Sequence, residues 1–376
     1  MGTLSKRQFI KTGLAGACGL YCLGVNKVAG ASFSGSNTLW KYSRECMFYT
    51  VTPRGVRCGV CPNECDLRPG EISICNNRVN SNGKLFSIAY GNPCAVHIDP
   101  VEKKPLLHFY PSSKVFSIAT AGCNFVCLNC QNWEISQTSP YKTKNTELFP
   151  PEVVKACMEN KCPSIAYTYS EPITFYEYMF DTSKIAHEKG VKNILVSNGY
   201  INETPLRKLS PYLDAANIDL KSFSDDIYLR LNAGKLQPVL NTLKTLKDEG
   251  VWLEITNLIV PSWTDDLDMI KQMCDWLVNN GFSDFPLHFS RFHPTFKLTQ
   301  LPETPVEVLI KARNIAINSG CNFVYIGNVP GKNFENTYCP NCKKLVIERR
   351  GFTILSNNLK NGKCGSCGRT IPGRWN

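Results

Sequence analysis

Residues 117–137 read SIATAGCNFVCLNCQNWEISQ, which places three thiols, Cys123, Cys127 and Cys130, on one short loop with the spacing CxxxCxxC. The β-branched run Val115–Thr120 ahead of them reads as a strand, so the loop leaves from its carboxyl end. Three cysteines so spaced can ligate three irons of a 4Fe-4S cubane and leave the fourth iron without a protein ligand. An electron-transfer cluster saturates itself with four cysteines, and a structural zinc site closes with four ligands. Three therefore reserve one metal corner for a small molecule. The competing reading is three unrelated buried thiols or part of a zinc site, since the chain holds 19 cysteines. Placement at a strand end favours the cluster.

Downstream, the runs VFSIAT, SIAYTY, NILVSN, AANIDL, WLEITNLIV, PLHFSRF and NFVYIG alternate with amphipathic segments. Alternating strand and helix gives a parallel sheet covered by helices. About six such units predict an α/β fold of the incomplete (β/α)6 barrel type, with an open doubly wound sheet as the alternative. Thr304-Pro305-Val306-Glu307 predicts a helix capped by the threonine and ended by Gly320, and Gly250 ends LNTLKTLKDE in the same way. No GxGxxG, GxxxxGK or HExxH pattern occurs, which argues against nucleotide-loop and zinc-hydrolase classes. In barrels of this kind the chemistry collects at the carboxyl ends of the strands. Those ends carry Tyr169-Ser170-Glu171-Pro172, Ser197-Asn198-Gly199, Asp219-Leu220-Lys221, LIVPSWTDD and Pro286-Leu287-His288. Taken singly, Glu171 also suits the first turn of a helix, Asp219 and Lys221 an exposed strand pair, and His288 a hydrogen-bonded core position. Arg291 and His293 are further candidates for substrate contact. Cys157, Cys162, Cys274 and Cys321 lack partner spacing and read as buried apolar residues.

The ordered set CGVCPNEC, HIDPVEKKPLLHF, TAGCNFVCLNCQNWEISQ and AYTYSEPITFYEY resembles the radical S-adenosylmethionine (radical SAM) enzymes. Within them it is similar to the AmmeMemoRadiSam group, a relative of the pyruvate formate-lyase activating enzymes. The resemblance runs from about Cys58 to Gly331. It implies that Cys123, Cys127 and Cys130 hold the cluster and that its free iron chelates S-adenosylmethionine. One electron would then split the sulfonium and yield a 5'-deoxyadenosyl radical, which takes hydrogen from a substrate, as from a glycyl residue of a partner protein in the activating enzymes. It also implies a low-potential electron donor of flavodoxin or ferredoxin type. Backbone groups at Tyr169 and Ser170, with help from Glu171, would hold the methionine amino group, and Ser197 and Asn198 suit a ribose or carboxylate. Asp219 and Lys221 would lie at the cofactor and substrate backbone, and His288 at the ribose. Asn129 departs from the pattern, which has an aromatic residue before the third cysteine.

Working back from the loop, Cys58, Cys61, Cys65 and Cys75 lie in a turn-rich segment that needs a metal staple, either zinc or a second, fully ligated cluster. Cys94 is unassigned, and HIDPVEKKPLLHF, with His97, Asp99, Glu102, Lys103 and His108, reads as a solvated connector. At the other end, Cys339, Cys342, Cys364 and Cys367 form two CxxC knuckles with 21 residues between them. They predict a zinc-ribbon-like module, with a rubredoxin-like iron as the alternative. The first residues, with Lys6-Arg7, the apolar run Gly13–Val25 and Ala29-Gly30-Ala31, are similar to a twin-arginine export signal in which Lys6 replaces the first arginine. The alternative is an uncleaved tail on a cytoplasmic enzyme. The expected domains are 1–31 (signal), 40–112 (cysteine-rich), 113–331 (barrel) and 335–376 (ribbon). The net charge of +11 is scattered, and together with Lys343, Lys344, Arg349 and Arg350 in the ribbon it supports nucleic-acid binding only weakly. Two further function classes stay open, a metal-stapled scaffold without catalysis and a nucleic-acid-modifying enzyme.

Overall fold

The computed structural model describes residues 39–331 and 333–375, so the signal expected at 1–31 lies outside the described residues. Seven parallel strands form the core: β2 Lys114–Ala119, β3 Ser164–Tyr167, β4 Lys192–Ser197, β5 Ala215–Asp219, β6 Trp252–Ile259, β7 Leu287–Arg291 and β8 Val324–Gly327. An eighth strand, β1 Ala95–Pro100, pairs antiparallel with β2 at the edge. That strand falls inside the stretch 40–112 expected as a separate domain, yet its backbone completes the core sheet.

The six crossovers carry the helices α1 Pro150–Glu159, α2 Tyr176–Glu188, α3 Glu203–Leu209, α4 Leu236–Asp248, α5 Leu267–Asn279 and α6 Val306–Ser319. Six strand-helix units with a closing strand therefore stand where about six were expected. Among the described residues the sheet runs in simple order from β8 to β1 without pairing its two edges, so the barrel is incomplete. The strands are buried over most of their length because helices cover the outer face, which is why the runs are near-continuously apolar. Gly320 ends α6 in the left-handed region at φ 110°, as predicted. Thr304 does not cap that helix. Its hydroxyl accepts from Phe292 N–H at 3.1 Å and bonds the Ile259 carbonyl, tying the ends of β6 and β7 together.

The segment before β1 makes two small antiparallel sheets, one from Arg44–Glu45, Arg78–Ser81 and Lys84–Ser87, the other from Tyr49–Thr52, Gly55–Cys58 and Asp66–Leu67. Its main anchor is an ion pair of Arg78 with Glu177 on α2 at 3.0 Å, each side chain only 2% exposed. The charges are buried together because neither could be buried alone.

The connector at 97–109 is not solvated as a whole. His97 and Lys103 are exposed, but Asp99, Glu102, Lys104 and His108 are buried. Asp99 is matched by Lys104 at 2.6 Å, and Glu102 accepts from Ser112 N–H at 2.7 Å.

The ribbon is a three-stranded antiparallel sheet, β9 Thr337–Tyr338, β10 Leu345–Arg350 and β11 Thr353–Asn357. Val346, Ile347 and Ile371 pack with Phe323 and Tyr325 of the barrel's last unit and with Leu107. Arg349, expected among the basic surface residues, is fully buried and donates to the Leu107 carbonyl at 2.8 Å. It is therefore a bolt between ribbon and barrel and is closed to phosphate.

Candidate active site

The loop after β2 is held from three sides. Val126 N–H and Leu128 N–H donate to the carbonyls of Asn232 and Leu231 at 3.0 and 2.9 Å. Asn124 donates to the Tyr200 carbonyl at 2.9 Å, and Asn63 donates to the Asn124 carbonyl at 2.8 Å. Gly122 is required at φ 100°, because a Cβ there would stand 2.4 Å from the Cys75 carbonyl oxygen. This clamping presents the three thiols together at the carboxyl end of the sheet.

Two asparagine amides address the sulfurs. Asn232 Nδ2 donates to Cys127 Sγ at 3.1 Å, and Asn198 Nδ2 lies 3.9 Å from Cys123 Sγ. Asn232 is fully buried, and among the described residues its Oδ1 has no hydrogen-bond partner. Burial holds the thiols protonated, pushing Cys127 up to about 11 despite Lys221 nearby and Cys123 well above its ordinary value. A bound iron reverses that balance by deprotonating a coordinating thiol outright.

Glu171 sits 2% exposed between two strand ends. Its carboxylate accepts from Ser197 Oγ at 2.7 Å, Asn198 N–H at 2.9 Å and Ile173 N–H at 3.1 Å. Burial raises it to about 7, with the Asn198 and Ser197 bonds opposing. Glu171, Ser197 and Asn198 are thus one unit, and Asn198 carries it to Cys123 and to Asn124 Oδ1 at 2.8 Å. Asp219 and Lys221 form a 2.6 Å ion pair with both side chains partly exposed. Burial alone would lower the Lys221 ammonium, but Asp219 and the Cys127 thiol outweigh it and raise it. Lys221 N–H donates to the Tyr228 hydroxyl at 3.0 Å.

Tyr169 and Ser170 are expected to act through backbone groups, and their side chains are engaged elsewhere, whereas His288 lies inside the barrel. The Tyr169 side chain turns to Asp99, to which its hydroxyl is bonded, and Lys104 lies 4.3 Å over its ring. Its carbonyl accepts from Asn132 at 2.7 Å. The Ser170 hydroxyl donates to the Thr120 carbonyl at 2.7 Å, fixing the turn after β3 to the end of β2. His288 Nε2 is 2.7 Å from Glu254 in the barrel interior, the hydrogen-bonded core position. Arg291 and His293 both pair with Glu303, at 2.9 and 2.7 Å.

Asn124, Asn232 and Tyr228 were not anticipated. Asn124 adjoins a cluster cysteine, which is a usable signal. Asn232 ends a π-helical turn, Tyr228–Asn232, followed by Ala233 at φ 59°, and such turns mark functional positions without a sequence pattern that announces them.

The family model described as "Radical SAM superfamily" matches residues 117–277. The chain belongs to the radical SAM superfamily. It is 47% identical over 331 residues to an uncharacterised protein of Methanocaldococcus jannaschii, covering 87% of this chain and 98% of that one. It is 25% identical over 164 residues to the pyruvate formate-lyase 1-activating enzyme of Escherichia coli, 43% of this chain and 67% of that enzyme. Among solved structures, a domain of a pyruvate-formate lyase-activating enzyme from Bacteroides vulgatus aligns over 43% of this chain and 98% of its own, at 14% identity and TM-score 0.38. The protein is a radical SAM enzyme related to those activating enzymes, and the donor set fits the superfamily's cluster. The thiols stand at the carboxyl end of the sheet, two amides reach their sulfurs, and one of those amides keeps an unmatched buried oxygen.

Among the described residues, Cys339, Cys342, Cys364 and Cys367 are the one group of three or more histidine, cysteine or carboxylate ligand atoms all within 4.8 Å of one another. Cys339 Sγ is 3.6 Å from Cys367 Sγ, and Cys342 Sγ is 3.7 Å from Cys364 Sγ. Thiolates around a single tetrahedral ion at a metal–sulfur distance of about 2.3 Å stand roughly 3.8 Å apart, so this is a one-ion site. The Arg369 N–H first, with the Asn341 amide and the neighbouring Cys342 and Cys339 thiols, pushes Cys367 down to about 6 against burial, which readies it as a thiolate ligand.

Proposed function

We propose that this enzyme cleaves S-adenosylmethionine reductively and uses the resulting 5'-deoxyadenosyl radical to take a hydrogen atom from a glycyl residue of a partner protein. The observation that carries the reading is the joining of the loop that bears Cys123, Cys127 and Cys130 to Glu171, Ser197 and Asn198, through Asn198's bond to Asn124 and its approach to Cys123, at the carboxyl ends of β2, β3 and β4. When bound through Cys123, Cys127 and Cys130, a 4Fe-4S cluster supplies a chelating iron and the electron that homolysis of the sulfonium requires.

The chain's own residues bind and orient. Glu171 locks Ser197 and the Asn198 backbone, so the turn between β4 and α3 is fixed before any ligand arrives. Asn232 donates toward Cys127 and stabilises negative charge on that sulfur. Lys221 remains protonated beside Asp219, giving the mouth a cation for an anionic or carbonyl group. Phe125, fully buried, packs with Tyr200 and shields the loop from water.

An open groove beyond β5 and β6 is lined by Phe223, Ile227, Trp263, Asp265, Asp266 and Met269. It shares Ile227 and Trp263 with the apolar cluster that holds Leu128 of the cluster loop. An extended segment of a protein substrate lying there would come beside the cluster, and this supports a macromolecular substrate. A flavodoxin or ferredoxin supplies the electron in this reading, and zinc occupies the ribbon.

The test is anaerobic reconstitution with iron and sulfide, reduction with dithionite, addition of S-adenosylmethionine and chromatography for methionine and 5'-deoxyadenosine. Both products are expected in equal amounts. Iron-loaded protein that yields neither would refute the reading.

A further inference from the structure

The groove beyond β5 and β6 has a chemistry that radical formation does not require. It opens about 800 Å³ between the loops that follow those two strands, at the end of the sheet that also presents Asp219. Phe223, Ile227, Trp263, Leu267 and Met269 line it, and each remains partly exposed. Apolar surface is therefore left in the free chain for a partner to cover.

Its charge is one-sided. Asp265 and Asp266 contribute carboxylates, and among the described residues no lysine or arginine lines the groove, although the chain carries 42 basic against 31 acidic residues. Asp266 serves its own helix: its Oδ1 accepts from the N–H groups of Asp268 and Met269 at 2.8 and 3.1 Å and so caps α5. Asp265, beside it, is half-buried, and among the described residues its carboxylate meets neither a donor nor a cation. The cations nearby are already matched. Arg230 lies 5.3 Å over the Trp263 ring and pairs with Asp226 at 3.0 Å, and Lys221 pairs with Asp219 at 2.6 Å. Salt screens a half-buried carboxylate less than an exposed one, so Asp265 attracts a cation and repels phosphate, which turns nucleic acid away from this groove.

We propose that the groove docks an extended segment of the protein substrate that carries a lysine or arginine beside an apolar side chain. The cation meets Asp265, and the apolar group enters between Phe223, Trp263 and Met269. Aromatic anchors of this kind dominate binding energy where a partner covers them, and the Met269 thioether, which accepts from Ser222 Oγ at 3.4 Å, adapts to apolar groups of differing shape. The groove is continuous with the site. Ile227 and Trp263 pack against the same apolar cluster as Leu128, which lies between Cys127 and Cys130, so a segment held there lies beside the cysteine loop. Contacts made away from the reacting carbon then orient it. That the segment delivers a glycyl carbon rests on the reading in the preceding subsection; its docking does not.

The experiment uses the full chain, reconstituted anaerobically with iron, sulfide and zinc. Its probes are two fluorescein-labelled peptides of about twelve residues. Each has a central glycine and a phenylalanine, and they differ only in carrying two lysines or two glutamates. Fluorescence anisotropy should show the lysine peptide binding at least about tenfold more tightly. In Asp265→Lys that order should reverse, with the glutamate peptide favoured about tenfold, a swap that misfolding does not produce. Trp263→Ala should weaken the lysine peptide about tenfold, and an unchanged affinity there overturns the placement. Wild-type affinities within about twofold of each other, or a lysine preference that survives Asp265→Lys, overturn the proposal. Failure of both peptides to bind at about 1 mM does so too. Sedimentation of the same samples would hand the groove to a second copy of the chain if wild type dimerises and Asp265→Lys does not, which likewise overturns it. Absence of 5'-deoxyadenosine from iron-replete wild type would instead sink the cleavage reading and leave the lysine preference standing.

Discussion

His108 Nε2 lies 2.6 Å from the hydroxyl of Tyr325, and the two residues close a hydrogen-bonded chain that fastens the ribbon to the inside of the barrel. On the other side of the ring, His108 Nδ1 is 2.7 Å from the Pro372 carbonyl. A carbonyl only accepts, so Nδ1 carries the proton and Nε2 accepts from Tyr325. Tyr325 then accepts from Thr337 at 2.8 Å, and Thr337 accepts from Arg349 at 2.8 Å. Glu254 completes the assembly by accepting from the backbone N–H groups of Leu107 and His108 at 3.0 and 2.7 Å.

That arrangement makes the fold acid-sensitive through His108. Burial is the main cause that pushes the imidazole down to about 4, with Arg349 and His288 acting in the same direction and Glu254 opposing. Below the ordinary value of about 6.5 the unfolded chain binds a proton that the folded chain refuses, so stability falls as pH drops from about 6.5 to about 4. The loss should approach roughly 3 kcal/mol at the lower end. His108→Gln keeps an acceptor for Tyr325 and removes the titration. Urea midpoints measured between pH 7 and pH 5 should fall less steeply in this variant than in wild type. Equal slopes would reject the assignment.

Arg349 holds three acceptors from two parts of the chain: Glu335 O at 2.9 Å, Thr337 Oγ1 and Leu107 O. Arg349→Met fills most of the volume but leaves those acceptors buried without a donor. The expected cost is about 2–4 kcal/mol, read as a lowered thermal midpoint in metal-replete protein. A loss under about 0.5 kcal/mol, the ordinary scatter of surface substitutions, would show that water replaces the guanidinium.

The parts of this protein legible in sequence are those encoded within a few residues. Cys123, Cys127 and Cys130 announce themselves by spacing, as do the ribbon knuckles, and Gly320 and Gly250 mark helix ends through a local backbone requirement. Seven apolar runs gave the strands because a sheet buried on both faces leaves near-continuous hydrophobic sequence. The junction of Glu171 with Ser197 and Asn198 was visible only as separate strand ends, since the bonds span 26 and 27 positions. His108 to Tyr325 spans 217 positions, and no local pattern distinguishes such a histidine from one in a solvated connector. His288 was carried to the ribose by resemblance alone, whereas Glu254, which bonds it, gave no signal because a carboxylate inside a strand reads as a solvent-facing residue.

Glu171→Gln tests the bracket between β3 and β4. The amide keeps the size but presents an N–H₂ where the carboxylate accepts from Ser197 or from Asn198 N–H, so one of those bonds is lost. Asn198 should then lose its fixed approach to Cys123. Support residues of metal sites typically contribute 10–100-fold in affinity or activity, and a drop of about tenfold in the rate of 5'-deoxyadenosine formation is expected, with iron content unchanged. A variant within about twofold of wild type would reduce Glu171 to a fold residue.

Asn232→Leu removes the amide that donates to Cys127 Sγ at 3.1 Å while keeping nearly the same volume. A donor to sulfur stabilises the reduced, more negative state of a thiolate-ligated centre, so deleting it should lower the reduction potential. A hydrogen bond worth about 0.5–1.5 kcal/mol corresponds to roughly 20–60 mV for one electron. Redox titration followed by electron paramagnetic resonance should show that downward shift in the signal that responds to S-adenosylmethionine. Electron supply from a fixed-potential donor should slow accordingly. A potential that stays put or rises would mean that the Asn232 amide points elsewhere once the cysteines are ligated, and its orphaned Oδ1 would then need a different account.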